Sequence, residues 1–241
     1  MDRDPPRALL FDVFGTCVDW RSGVIREGEA LARRLGLVGV DWGAIAGAWR
    51  GRYQPQLETV RSGARPWTTL DVLHREALDG VLAEAGLDAA AVPAAERDGL
   101  TLAWHRLDPW PDVVEGLARL RRRSIVAPCS NAHIALVVAM ARRAGLVWDA
   151  VLGAELARAY KPQPEVYLRS AAALGLAPGD AMMVAAHPDD LAAAAACGLR
   201  TAFVPRPAEH GPRHAGDAPP DVPAVELVAR DFHDLARLLG G

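Results

Sequence analysis

Asp12 closes a short apolar run, Leu9-Leu10-Phe11, and is followed by Val13-Phe14-Gly15-Thr16, which puts a carboxylate beside a glycine turn. Ligands of open α/β sheets bind beyond the carboxyl ends of the strands, so a carboxylate in that place stands where reactions happen. Three further segments set polar groups beside apolar runs. Ser130-Asn131 follows residues 125–129 with a hydroxyl and an amide. Lys161 stands just before the helix start Pro164-Glu165-Val166-Tyr167, and His187-Pro188-Asp189-Asp190 follows residues 181–185. Taken singly, each has a plainer reading: a loop aspartate, a helix N-cap, a surface lysine, a capped helix start.

The elements that must position these groups are legible in the apolar pattern. Short runs at 8–13, 125–129, 150–152, 181–185 and 201–204 read as strands, with a last short strand at 224–228. Amphipathic segments at 113–123, 134–144, 164–174, 191–197 and 232–239 read as helices between and after them. The alternation predicts an α/β fold with a doubly wound, parallel-sheet, Rossmann-like core. About a hundred residues separate the first two strands, far more than one crossover helix needs. Helical patterns at 23–35, 42–58, 69–85 and 94–106 fill that interval and predict an inserted helical-bundle cap domain. The expected division is a core of 1–17 and 108–241 with a cap of 18–107, the chain returning through 107–111, where Pro109 and Pro111 oppose helix. Pro and Gly at 205–223 predict an irregular loop.

Composition narrows the class. The chain has 241 residues, 51% apolar and 24% charged, with a net charge of -3, which argues for a packed globule and against disorder or a nucleic-acid footprint. The arginines between 119 and 123 read as one solvated helix face. Cys17, Cys129 and Cys197 are far apart and odd in number, and read as reduced thiols rather than a disulfide frame or zinc site. With no secretion signal and no apolar run near the ~20 residues of a membrane helix, a cytoplasmic protein is expected.

Together and in this order, the four polar segments resemble the four motifs of the haloacid dehalogenase superfamily, over nearly the whole chain. Asp12-Val13-Phe14-Gly15-Thr16, with Ala48-Trp49-Arg50 in the helical insert, is similar to the type II 2-haloacid dehalogenases. The resemblance implies hydrolytic dehalogenation of short 2-haloalkanoic acids through an aspartyl ester, independent of metal and of any cofactor. It makes Asp12 the nucleophile, with Thr16 and Ser130 holding its carboxylate and Arg50 with Asn131 cradling the halide. Lys161 would steady the carboxylates, and Tyr167 and Asp190 would complete the polar shell, Asp190 orienting the water. Phe14 falls to the substrate pocket.

The chain departs from the family pattern at Ala185 and His187, where the family has a serine and an asparagine. His187 is expected in the active site, because it stands three residues before Asp190 at a strand end. Trp67 of the insert is expected to narrow the pocket around a short acid. Phosphatases of the superfamily need a second aspartate where this chain has Phe14, and a magnesium-binding aspartate where it has Ala186. A Mg²⁺-dependent phosphatase with a rearranged metal site, and a silent member that binds a small acid or a partner protein, are the alternatives. The expected partner is a small 2-haloacid, with no nucleic acid or membrane; the resemblance is compatible with a homodimer.

Overall fold

The computed structural model describes residues 4–88, 90–211 and 225–240. The elements run β1 (Ala8–Phe11), β2 (Val18–Asp19), α1 (Trp20–Leu35), α2 (Trp42–Gly51), α3 (Tyr53–Arg61), α4 (Leu70–Glu84) and α5 (Ala94–Thr101), which tightens into a 3₁₀ turn, Leu102–His105. The chain continues through β3 (Asp108–Pro109), α6 (Val113–Leu120), β4 (Ile125–Pro128), α7 (Ile134–Ala144), α8 (Pro164–Ala173), β5 (Ala181–Ala185), α9 (Pro188–Ala196), β6 (Arg200–Phe203), β7 (Leu227–Val228) and α10 (Phe232–Leu238).

Five strands form a parallel sheet in the order β4-β1-β5-β6-β7. From β1 the chain goes first to β4 on one side and later to β5 on the other, so the strand order reverses at β1. A crevice opens at such a reversal, beyond the carboxyl ends of the strands, and the residue after β1 is Asp12. Both faces of the sheet are covered. Leu9 and Phe11 of β1 join the apolar cluster that includes Leu117 of α6, Leu136 of α7 and Phe232 of α10. Ala8 and Leu10 join the cluster with Val166 of α8 and Leu191 of α9. A strand buried on both faces needs apolar residues at every position, which is why β1 reads as a continuous run.

Helices α1 to α5 stand between β1 and β4 in the chain. Their core is aromatic: Trp20, Trp49 and Trp104 are fully buried, and Trp49 meets Trp104 edge-on with centroids 5.5 Å apart. Gly28 in α1 lets the helix approach Trp42, since a Cβ there would fall 2.2 Å from the indole. The antiparallel ribbon β2–β3 joins the two crossings of the chain, pairing Val18 with Pro109 and Asp19 with Asp108. Two residues per strand leave no periodic signal, and the sequence pattern does not reveal it.

Two expectations are corrected. Residues 150–152 form no strand. Asp149 instead pins the chain to the edge of β4, its N–H donating to Val126 O at 2.9 Å and its Oδ2 accepting from Val126 N at 3.0 Å. A single anchored residue ends the ladder before it can form. The expected helix 42–58 is two helices, broken at Arg52, because Pro55 lacks an N–H and its ring would clash with the carbonyl four residues back. The 205–223 loop is described only to residue 211, and residue 224 of the expected last strand lies outside the described residues. Among the described residues no helix is long and apolar enough to cross a membrane.

Candidate active site

The turn after β1 fixes Asp12. Its N–H donates to Val184 O of β5 at 3.0 Å, and Gly15 takes a φ of +85°, where a side chain would be strained. Thr16 then folds back: its Oγ donates to Asp12 Oδ2 at 2.7 Å and accepts from Ala186 N at 2.9 Å, tying the turn to the end of β5. Remote side chains hold the turn's carbonyls, with Trp110 Nε1 donating to Gly15 O and Arg206 Nε to Thr16 O, both at 2.8 Å.

Lys161 joins the two buried carboxylates. Its Nζ donates to Asp12 Oδ1 at 2.8 Å and to Asp190 Oδ2 at 2.5 Å, while Tyr167 Oη donates to Asp190 Oδ1 at 2.6 Å. The Lys161 backbone N–H donates to Asn131 Oδ1 at 2.7 Å, which leaves the Asn131 amide nitrogen as its donor toward the cavity it lines. Burial alone would raise the Asp12 pKa, but the charges and hydrogen bonds of Lys161 and His187 outweigh it and hold the carboxyl far below the ordinary carboxylate range. Asp190 moves the other way: burial and the charge of Asp12 prevail over Lys161 and raise it. Asp12 is therefore held ionised, and Asp190 is the more basic of the pair.

His187 bridges two acids. Its Nδ1 lies 2.9 Å from Asp12 Oδ2, and its Nε2 lies 2.9 Å from Glu209 Oε2. Burial disfavours the imidazolium, but the hydrogen bonds and charges of Asp12 and Glu209 overcome that and push the ring's pKa up to about 10. Glu209 also accepts from Trp20 Nε1 at 3.0 Å and lies 3.9 Å from Arg50 Nη2. Arg50 stacks over Tyr53, its guanidinium carbon 4.3 Å from the ring centroid, and its Nη1 has no hydrogen-bond partner among the described residues. Arg50, Asn131 and Phe14 line one cavity of about 990 Å³ with Asp12, Lys161, Tyr167, His187 and Asp190. A positive fork with a free N–H beside an anionic nucleophile can receive a leaving anion.

Two expected positions differ. Ser130 makes no hydrogen bond to the Asp12 carboxylate; its Oγ accepts from Ala132 N at 3.1 Å within the turn after β4. Trp67 does not line the cavity but packs on Tyr160, ring centroids 4.9 Å apart, where its apolar surface is covered by another ring. The sequence reading missed Glu209 and Tyr53. Glu209 sits in the Pro/Gly-rich loop after β6, and its position past a strand's carboxyl end was the available signal. Tyr53 carried none beyond lying three residues after Arg50.

The fold and site define a hydrolase of the haloacid dehalogenase type. The haloacid dehalogenase-like hydrolase family model matches residues 6–198, and the chain belongs to that family. It is 46% identical to a crystal structure described as a defluorinating L-2-haloacid dehalogenase, which superposes with a TM-score of 0.95 over 100% of both chains. A second L-2-haloacid dehalogenase structure is 43% identical, with a TM-score of 0.90 over 97% of this chain and 99% of that one. Among characterised relatives, (S)-2-haloacid dehalogenase 4A of Burkholderia cepacia is 29% identical over 206 residues, 84% of each chain.

Proposed function

We propose that this enzyme hydrolyses the carbon–halogen bond of short 2-haloalkanoic acids, giving the 2-hydroxy acid and halide through an ester on Asp12. The observation that carries the reading is the ionised Asp12 carboxylate, fixed by Thr16 and Lys161, facing a cavity that also holds Arg50 and Asn131. Asp12 Oδ1 attacks C2 from the side opposite the halogen; the C–O bond forms as the carbon–halogen bond breaks, and the halide leaves with the bonding pair toward Arg50 and the Asn131 amide.

The second half of the reaction uses the other oxygen. Oδ2 becomes the ester carbonyl, and it keeps the donors it already has, Thr16 Oγ and His187 Nδ1. Water attacks the Asp12 carbonyl carbon and gives a proton to Asp190, whose raised pKa suits a base. Thr16 and the charged His187 stabilise the negative charge that builds on Oδ2, then the bond to the hydroxy acid breaks, its oxygen takes the proton held on Asp190, and the regenerated Asp12 carboxyl loses its own to solvent. The net reaction consumes one water and releases halide and one proton. In this reading 18–107 act as a cap over a core of 1–17 and 108–241, and a homodimer and a cytoplasmic location belong to the same proposal, open to light scattering and cell fractionation.

A phosphatase reading finds no acid where one is needed: Phe14 packs edge-on against Trp104, centroids 5.6 Å apart, and Ala186 offers no ligand to Mg²⁺. The deciding experiment measures halide release from chloro-, bromo- and fluoroacetate and from both 2-chloropropionate enantiomers without added metal. Release of halide with matching hydroxy acid supports the proposal, and phosphate release from simple esters only with Mg²⁺ overturns it.

A further inference from the structure

Away from the cavity, three potential ligands converge where the helical insertion meets the sheet. Asp71 lies in the first turn of α4, His105 ends the 3₁₀ turn after α5, and His133 caps α7 just after β4. His105 Nε2 is 2.8 Å from Asp71 Oδ1, and His133 Nε2 is 3.3 Å from Asp71 Oδ2. One ligand atom from each residue lies within 4.8 Å of the other two. None of the three lines the cavity around Asp12.

We propose that Asp71, His105 and His133 bind a divalent transition-metal ion, zinc by preference, that clips the helical insertion to the sheet. Zinc takes imidazole nitrogen at about 2.0–2.1 Å and carboxylate oxygen at about 2.0–2.2 Å, so tetrahedral donors stand about 3.4 Å apart. The two observed separations, 2.8 and 3.3 Å, fall short of that spacing by a few tenths of an ångström, so small rotations of the two rings admit the ion. Two imidazoles and one carboxylate select zinc, cobalt, nickel or copper over magnesium and calcium, which prefer all-oxygen shells. The side chains of His105 and His133 are 13% and 10% exposed and that of Asp71 is 32% exposed, so the site is sheltered but open on the carboxylate side, where water supplies the fourth ligand.

The three ligands come from segments 34 and 28 residues apart in sequence, so an ion fixes α4, the end of the insertion and the loop that carries Asn131 to one another. Because metal binds the folded arrangement only, it raises the unfolding temperature, and increasingly so as free metal exceeds the Kd. The test uses the full chain stripped with a chelator and titrated with Co²⁺, whose visible bands report tetrahedral nitrogen and oxygen ligation. The expected result is one equivalent bound, displaced by Zn²⁺, with a higher Tm in Zn²⁺. His105→Gln and His133→Gln, separately and together, remove the bands and the Tm increase. Loss of the bands in both single variants, each with an intact far-UV spectrum, supports the site. A wild-type protein that shows neither bands nor a Tm increase in excess metal overturns it, as does unchanged binding by the double variant.

Discussion

His187 Nε2 and Glu209 Oε2 lie 2.9 Å apart, and Glu209, together with Asp12 on the other ring nitrogen, holds the histidine as a cation. With its pKa near 10 the ring carries its proton throughout the neutral range, where an asparagine would offer only a neutral donor. His187→Asn should therefore slow fluoroacetate turnover about a hundredfold, the scale of losing one preorganised donor, and slow chloroacetate less. Fluoride is the poorer leaving group and the more demanding test. Rates measured from pH 5.5 to 9 that match wild type on both substrates would make His187 a bystander.

The same pair sets a pH limit. In wild type the rate should hold through pH 9 and fall as pH passes about 10, where His187 loses its proton. Glu209→Gln keeps the shape but removes one charge, and the alkaline limb should move about one to three pH units lower. Stability follows the same sign, because the folded pKa lies above the unfolded value of about 6.5. The His187 contribution is complete below that value and is lost as pH rises through about 10. Thermal melts of wild type and Glu209→Gln across pH 6 to 11 check it, and coincident curves would separate Glu209 from the titration.

Asp12→Asn keeps the fold and loses the charge that attacks carbon, so turnover should drop by at least about four orders of magnitude with an unchanged far-UV spectrum. In a single wild-type turnover in H₂¹⁸O, label should enter the Asp12 side chain. Label confined to the product would reverse the mechanism.

Arg50 presents a planar fork over Tyr53, with one N–H that has no hydrogen-bond partner among the described residues. Lysine cannot stack or fork in this way, so Arg50→Lys should lower kcat by about 10²–10³. Halide release near the wild-type rate would remove Arg50 from the halide site.

Trp67 packs on Tyr160 rather than facing the cavity, so Trp67→Ala should cost about 2 kcal/mol in stability and leave the ranking of haloacetates by kcat/KM unchanged. A reordered ranking with an unaltered Tm would put the indole back in the pocket.

The sequence alone determined the chemistry-bearing strand ends and most of the fold. Runs such as Leu9 to Phe11 must be strands buried on both faces, and Asp12, Asn131, His187 and Asp190 follow such runs within a few residues, so local spacing places them. Lys161 and Arg50 were given their roles only through a resemblance, since neither a lysine before a proline-started helix nor an arginine on a helix announces its partner. What tertiary structure decided was the pairing of distant groups. Glu209 is 189 residues from Trp20 and 22 from His187, and no periodicity relates them. Ser130 and Trp67 went the other way: each meets a nearer partner, a backbone N–H for the serine and a tyrosine ring for the tryptophan. A sequence states which groups a chain carries, but which buried donor meets which acceptor depends on how the helical insertion packs on the sheet, and that is settled by long-range packing rather than by any local pattern.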